Sequence, residues 1–237
     1  MISLSRICFS ALAGLPIWAA SVAGSVELRD SRQAAVRSGK DYSGVVVWLE
    51  PEPAVTLAPA AQHARMAQKD KTFVPHVLAV QVGTTVDFPN FDPIFHNAFS
   101  TYDGQVFDVG LYPPGTSQGV RFTRPGIVRV FCNIHATMSA VIVVVSTPFF
   151  GTTARSGAFS LADVMPGEYV LHVFHERATP ATLKALERRI TVRGEPVKLP
   201  TLTISESGYL ALPHQNKYGR EYPAAPDDGG VYPAVRK

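Results

Sequence analysis

Cys132, His135 and Met138 stand at a constant spacing of three in the stretch FCNIHATM, so a thiol, an imidazole and a thioether recur along one short run. The chain has only one other cysteine, Cys8, near its beginning. A single remaining thiol forms no internal disulfide, and outside the cytoplasm an unprotected thiol is oxidised. Cys132 is therefore either buried and inert or protected, and a bound metal would protect it. Three donors call for a fourth, and His96 in NFDPIFHNAFS is the candidate. Soft sulfur together with imidazole favours copper, and trigonal sites of two histidines and one cysteine with a weak axial methionine serve electron transfer. Zinc is the chemical alternative, although structural zinc sites are built from cysteine and histidine rather than thioether. The plain alternative is a buried cysteine, a surface histidine and a core methionine that fall in order by accident.

The location outside the cytoplasm is read from the first residues. Arg6 precedes an apolar run, and Ser21, Val22 and Ala23 supply small residues for a cut, the layout of a secretory signal peptide. Residues 1–23 are expected to be removed, with Ala23 as the last and Ser21 as the rival, and Cys8 leaves with them. The run is short and interrupted by Pro16, so no membrane-spanning helix is expected once the signal is gone. The formal charge is +3, and loss of Arg6 leaves +2. A nearly balanced chain without a basic block excludes nucleic acid as a natural partner. The expected compartment is the periplasm.

The elements that must position these donors read as β almost throughout. Short runs rich in valine, phenylalanine and threonine lie at Val45–Leu49, Val77–Val82, Thr85–Phe88, Val120–Thr123, Ile127–Phe131, Val141–Val145, Ala158–Leu161, Tyr169–Phe174 and Arg189–Val192, with turn signals such as Pro125-Gly126 and Pro166-Gly167 between them. That pacing is expected of β-sandwiches. Only Ala58–Lys69 and Pro180–Arg188 read as helix, and residues 207–237, rich in proline, glycine and tyrosine, read as an extended or disordered tail. Alternation along IVRVFC puts Val128, Val130 and Cys132 on one face and Ile127, Arg129 and Phe131 on the other, wetter one. The nearly continuous apolar run SAVIVVV follows, so Cys132, His135 and Met138 sit on a tight connection between two core strands.

At these residues the chain resembles the cupredoxins. VGTTVDFPNFDPIFHNAF is similar to the strand and loop that carry the first histidine ligand, and PGIVRVFCNIHATM to the closing Cys-His-Met loop, with the short spacing of the amicyanins. The resemblance covers about residues 53–147. It implies one type 1 copper ion held by His96, Cys132, His135 and Met138, with Asn97 tying the two ligand loops together. It also implies an all-β fold with a Greek-key cupredoxin sandwich. The flanks resemble a carboxypeptidase regulatory-like, or transthyretin-like, β-sandwich through GAFSLADVMPGEYVLHVFHE. Residues 24–52 and 148–206 are expected to form that second sandwich, with the cupredoxin inserted in it. The whole plan resembles periplasmic plastocyanin-like proteins of the methylamine-utilisation type.

Other residues add little chemistry. His172 and His175 differ by three along a strand and face opposite sides. His63 and His76 have no partner at useful spacing, and Asp163, Glu168 and Glu176 read as solvated or turn residues. Phe149, Phe150, Phe159 and Tyr169 read as core. No nucleophile elbow, zinc-protease helix or phosphate loop occurs, so no enzyme is expected. The expectation is a one-electron carrier whose partner is a protein such as a periplasmic cytochrome or dehydrogenase. A copper-binding or delivery protein is the alternative. Electrons are expected to leave through His135 and an apolar patch of Ile134, Ala136, Thr137, Pro93, Ile94 and Phe95.

Overall fold

A computed structural model describes residues 19–101, 104–210 and 214–222. The chain runs through β1 (Ala20–Arg29), the one-turn helix α1 (Ala34–Arg37) and β2 (Val46–Glu52). It continues through β3 (His63–Arg65), β4 (Ala67–Lys69), β5 (Thr72–Val74), β6 (Val77–Gln81), β7 (Thr85–Pro89), β8 (Phe99–Ser100), β9 (Phe107–Asp108), β10 (Ser117–Arg121), β11 (Gly126–Phe131) and β12 (Ser139–Val145). The last part holds β13 (Phe150–Thr152), β14 (Ala158–Val164), β15 (Gly167–Phe174), the short helix α2 (Pro180–Lys184), β16 (Arg188–Val192), β17 (Val197–Lys198) and β18 (Leu202–Ser205). The all-β expectation holds, and each run read as a strand is one.

Four sheets stack face to face with three apolar layers between them. An outer sheet of β14, β1, β17 and β18 faces the sheet β13-β2-β15-β16 across a core that includes Val22, Leu28, Val47, Leu161 and Leu171. The second sheet turns its other side, with Val46, Trp48 and Phe174, onto Val141, Val143 and Val145 of the sheet β6-β12-β11-β8-β9. That third sheet covers β10-β7-β3 across a core holding Phe88, Val128, Val130, Cys132, Met138 and Ile142. The stacking gives a physical reason for SAVIVVV. A strand covered on one side alternates apolar with polar residues, whereas one covered on both reads as a continuous apolar run. Ala140, Ile142 and Val144 of β12 fill one core while Val141, Val143 and Val145 fill the next.

Two expectations need correction. Ala58–Lys69 is not helical. It contains β3, parallel to β7, and β4, and its burial alternates with period two, with Ala64, Met66 and Gln68 directed inward. Alanine, methionine and glutamine favour helix only weakly, and packing overrides such preferences. The second face of β11 is not wet. Ile127 packs into the layer between the two middle sheets and Phe131 is buried, leaving Arg129 to reach Glu176 at 3.7 Å. The expected cut after Ala23 and its rival after Ser21 both fall within β1, where Val22 is buried and pairs with Leu161 and Val197. The rival cut after Ser21 keeps Val22. Residues 1–18 of the expected signal peptide, with Cys8, lie outside the described residues.

Glu176 is also not simply solvated. It accepts a hydrogen bond from His76 Nε2 at 2.6 Å, and His76 Nδ1 lies 3.0 Å from the carbonyl of Ser139, the first residue of β12. The pair joins the end of β15 to the strand leaving the Cys-His-Met loop. The Glu176 hydrogen bond raises the His76 pKa above its ordinary 6.5 despite opposing burial. Burial pushes the Glu176 carboxyl up, but the His76 hydrogen bond and charge, with Arg129 and Arg177, more than offset it and hold it low. A raised histidine contributes stability that is complete below about pH 6.5 and lost as pH climbs through the folded value. A lowered carboxyl contributes stability that is present at neutral pH and lost on acidification. The expected result is a His76→Ala variant whose melting temperature declines less than that of the wild type from pH 6.5 upward. Identical slopes in thermal melts across that range would show that the pair does not link protonation to folding.

Candidate metal centre

The two connections that carry the candidate ligands meet at one end of the third sheet. The first leaves β7 and is held by three anchors on its way to β8. His96 N–H donates to Tyr112 O at 3.2 Å and Tyr112 N–H returns to His96 O at 2.9 Å. Gln68 Nε2 donates to Asn97 O at 3.1 Å, and the Tyr112 hydroxyl holds Gln68 Oε1 at 2.7 Å. The second connection is the turn between β11 and β12. Cys132 N–H donates to Met138 O at 3.1 Å and Met138 N–H to His135 O at 3.0 Å, which closes the loop on itself. These are local reasons for three side chains to converge without long, mobile arms.

Cys132 Sγ lies 3.8 Å from His96 Nδ1 and 3.6 Å from His135 Nδ1, and the three atoms fall within 4.8 Å of one another. The rings of His96 and His135 are 4.9 Å apart between centroids. Cys132 and His96 are fully buried and His135 is partly exposed, so His135 is the member of this group nearest solvent. Met138 is buried in the same core as Cys132. The structure thus brings His96, Cys132 and His135 together as donors and keeps Met138 on the same loop beneath them.

The tautomer of His96 is fixed by a residue that sequence reasoning missed. Asp92 Oδ2 lies 2.7 Å from His96 Nε2, and the same carboxylate accepts the backbone N–H groups of Asp70 at 2.6 Å and Lys71 at 2.9 Å. A carboxylate with three donors around it is ionised. Burial pushes the Asp92 carboxyl up, yet the Lys71 amide, the His96 ring and the Asp70 amide outweigh it and hold it low. Burial holds His96 below its ordinary value against the pull of Asp92. The ring is therefore neutral, with its proton on Nε2 and a lone pair on Nδ1 aimed at the sulfur. A carboxylate behind a ligating histidine orients the ring and raises its basicity. The only sequence signal for Asp92 is its position four residues before His96, which on an irregular loop carries no meaning by itself.

Burial pushes the Cys132 thiol up, while the amides of Ile134, Asn97 and His135 pull it down in part. A buried thiol with two imidazole nitrogens facing it, one of them with its lone pair fixed, has the donor set for a soft or borderline metal ion. Asn97, on the first connection, hydrogen-bonds to the second. Its Oδ1 accepts from Asn133 N–H at 2.9 Å, and its Nδ2 donates to Asp108 Oδ1 at 2.7 Å. Among the expected patch residues, Ile134, Ala136, Thr137, Pro93 and Phe95 are exposed and Ile94 is half-buried. Phe91 and Leu111, also exposed and nearby in sequence, extend the apolar surface. Of the remaining histidines, His63 pairs with Asp87, His172 stacks on Trp48, and His175 is buried on Glu206.

Part of the tail is described, as irregular chain held in place. Residues 214–222 lie against the Cys132 loop. His214 stacks on Phe131 with ring centroids 4.0 Å apart, and the Tyr222 hydroxyl donates to Cys132 O at 2.8 Å. Residues 211–213 and 223–237 lie outside the described residues. Among the described residues no helix is long and apolar enough to cross a membrane.

No family model matches the chain. Over 59 residues, 24% of its length, it is 41% identical to the methylamine utilization protein MauL of Methylorubrum extorquens, and the matched stretch spans about half (52%) of that protein. Among solved structures, a purple cupredoxin from Nitrosopumilus maritimus aligns at 23% identity over 35% of this chain and 99% of its own, with a TM-score of 0.32. A copper-containing nitrite reductase from Thermus scotoductus aligns at 27% identity over 39% of this chain and 23% of its own, with a TM-score of 0.33. A reduced amicyanin variant aligns at 20% identity over 35% of this chain and 82% of its own, also with a TM-score of 0.33. The four-sheet stack described above rests on its own strand pairings, and the site on its own distances.

Proposed function

We propose that this chain is a blue, type 1 copper protein that carries single electrons in the periplasm and catalyses no reaction of its own. The observation that carries the reading is the convergence of Cys132 Sγ with the Nδ1 atoms of His96 and His135 in a buried pocket, with the His96 ring locked by Asp92. Copper, when bound, supplies the one-electron couple. His96, Cys132 and His135 would hold it, with Met138 as the weak fourth ligand. The chain supplies rigidity, since loops pinned at Tyr112, Gln68 and Asn97 resist rearrangement between two charge states. It also supplies an exit. His135 is the part-exposed imidazole, and small apolar contacts around it suit encounters that form and break quickly. Residues 24–52 and 148–206 would form the host sandwich for the copper-binding unit at 53–147. The partial similarity to MauL supports methylamine utilisation as a setting, and a cytochrome or dehydrogenase is the partner a one-electron carrier there would serve.

Copper delivery is the rival. It requires ligands that open readily to an acceptor, whereas Cys132 and His96 are fully buried. Reduced, copper-loaded protein mixed with an oxidised periplasmic c-type cytochrome should be oxidised with its copper retained. Ala136→Glu should slow that exchange about tenfold, because a charge at a contact rim acts mainly on association, and should leave the visible spectrum unchanged. Copper leaving for an apo acceptor, with electron exchange insensitive to the substitution, would overturn the carrier reading.

A further inference from the structure

The side chain of Asn97 does more than join two loops. Its Nδ2 donates to Asp108 Oδ1 at 2.7 Å, and Asp108 Oδ2 accepts from Lys217 Nζ at 2.7 Å. The Lys217 backbone N–H donates to Asn133 Oδ1 at 3.0 Å, and Asn133 N–H donates to Asn97 Oδ1 at 2.9 Å. These four residues form a closed hydrogen-bonded ring. Asn97 follows His96, Asn133 follows Cys132, Asp108 ends β9, and Lys217 comes from the far end of the chain. The ring therefore clasps the residue after each of the two buried donors. Beside it, the Tyr222 hydroxyl takes the Cys132 carbonyl, and His214 lies flat on Phe131. The same nine-residue segment thus grips residues 131, 132 and 133 in turn, by a ring face, a carbonyl and a side-chain amide.

We infer that residues 214–222 are a strap that positions Cys132 for metal binding, with Lys217 and Tyr222 as its positioning residues. The inference rests on the copper reading for its purpose but not for its geometry. Without the strap, Asn133 loses one of the two contacts that fix its side chain and backbone, and the Asn97–Asn133 link becomes an isolated hydrogen bond at a surface. An isolated neutral hydrogen bond contributes about 1 kcal/mol, and one to a charged group more. Lys217 is the only ring member with a cationic side chain, and that side chain is partly buried against Asp108, 22% exposed. Burial pushes the Asp108 carboxyl up, but Lys217, the Gly110 amide and Asn97 together outweigh it and hold the group low, as an acceptor in the ring. No comparable grip reaches the His96 loop from outside its own sandwich among the described residues. Residues 214–222 are thus joined to the loop that carries Cys132.

The test uses the full chain in two forms. In the metal-free protein, amide hydrogen exchange at Asn133 is compared between wild type, Lys217→Ala and Tyr222→Phe, with circular dichroism to confirm folding. Both residues are partly exposed at the surface, so loss of fold is not expected. Lys217→Ala keeps the backbone N–H that holds Asn133 and removes the charge-assisted bond to Asp108, so exchange at Asn133 should accelerate about tenfold through the loosened Asp108–Asn97 half of the ring. In the protein loaded with Cu(II), Tyr222→Phe should shift the visible band and the reduction potential while the copper stoichiometry stays the same. Unchanged exchange at Asn133 in Lys217→Ala overturns the strap, whatever copper does. Faster exchange with an unmoved band and potential in both variants reduces the segment to a structural clamp and overturns its positioning role. A wild type that binds Cu(II) without colour overturns the copper reading instead, and the strap then stands or falls on the exchange data.

Discussion

Cys132→Ser is expected to leave a folded protein that takes up Cu(II) weakly and shows no intense visible band. The band requires a thiolate bonded to the ion, and Cys132 is the single free cysteine among the described residues. Loss of an outer-sphere partner typically costs ten- to a hundredfold in metal affinity, so loss of the sulfur ligand should cost more than about a hundredfold. The fold should survive because the serine hydroxyl inherits donors. The amides of Ile134, Asn97 and His135 already face the sulfur, and an oxygen there is not left without partners. Met138→Leu makes the complementary case. It keeps the volume of a side chain buried in the core with Ile142 and Val130, costs less than about 1.5 kcal/mol, and should keep the colour while moving the potential. Absorption spectra and equilibrium copper titrations of the two variants beside wild type decide the matter. A Cys132→Ser protein that stays blue would remove the thiolate from the site, and colour lost equally in Met138→Leu would make the thioether a primary ligand.

The pattern of success and failure in reading this sequence has a physical basis. β11 and β12 were legible because their alternation and continuity record how many faces each strand buries. Val128, Val130 and Cys132 turn inward together because a strand has period two. The donor set was legible because cysteine, histidine and methionine are scarce and their chemistry is specific. Asp92, Asp108, Lys217 and Tyr222 were not legible. Their types are common, and their roles depend on loops folding back across large separations, as with Tyr222 on Cys132. A tail rich in proline and glycine carries no period, so composition gave only an extended or disordered segment and no contact for it. His76 and Glu176 were missed for the same reason, lying 100 residues apart. The supposed helix at Ala58–Lys69 failed because short segments of good helix formers follow the sheet that receives them.

The stacking of four sheets implies that the layers on either side of β12 share their fate, and a single side chain tests it. Val143 is fully enclosed on the face of β12 turned toward Val46, Trp48 and Phe174, while its neighbours Ile142 and Val144 face the core that holds Cys132. A carboxylate placed there by Val143→Asp is surrounded by Val46, Val141, Val145 and Phe174, and the cation on that face of β11, Arg129, is already directed to Glu176. Burying an unpaired ionised group costs several kcal/mol even after relaxation, and the lost apolar burial adds roughly 1.5 kcal/mol. The sum approaches the whole stability of an ordinary domain, about 5–15 kcal/mol. β12 is the inner wall of both neighbouring layers and pairs on one side with β11 and on the other with β6. Its displacement therefore moves the Cys-His-Met turn as well as the sheet of β2 and β15. Val55→Asp, at a position 55% exposed, is the control and should change little. Thermal melts followed by circular dichroism should show wild type and Val55→Asp unfolding in one transition, with Val143→Asp losing most of its native signal or melting far lower. A Val143→Asp protein with two separated transitions, one of them at the wild-type temperature, would mean that the sheets on either side of this layer fold independently and that the valine layer is only a contact between two finished units.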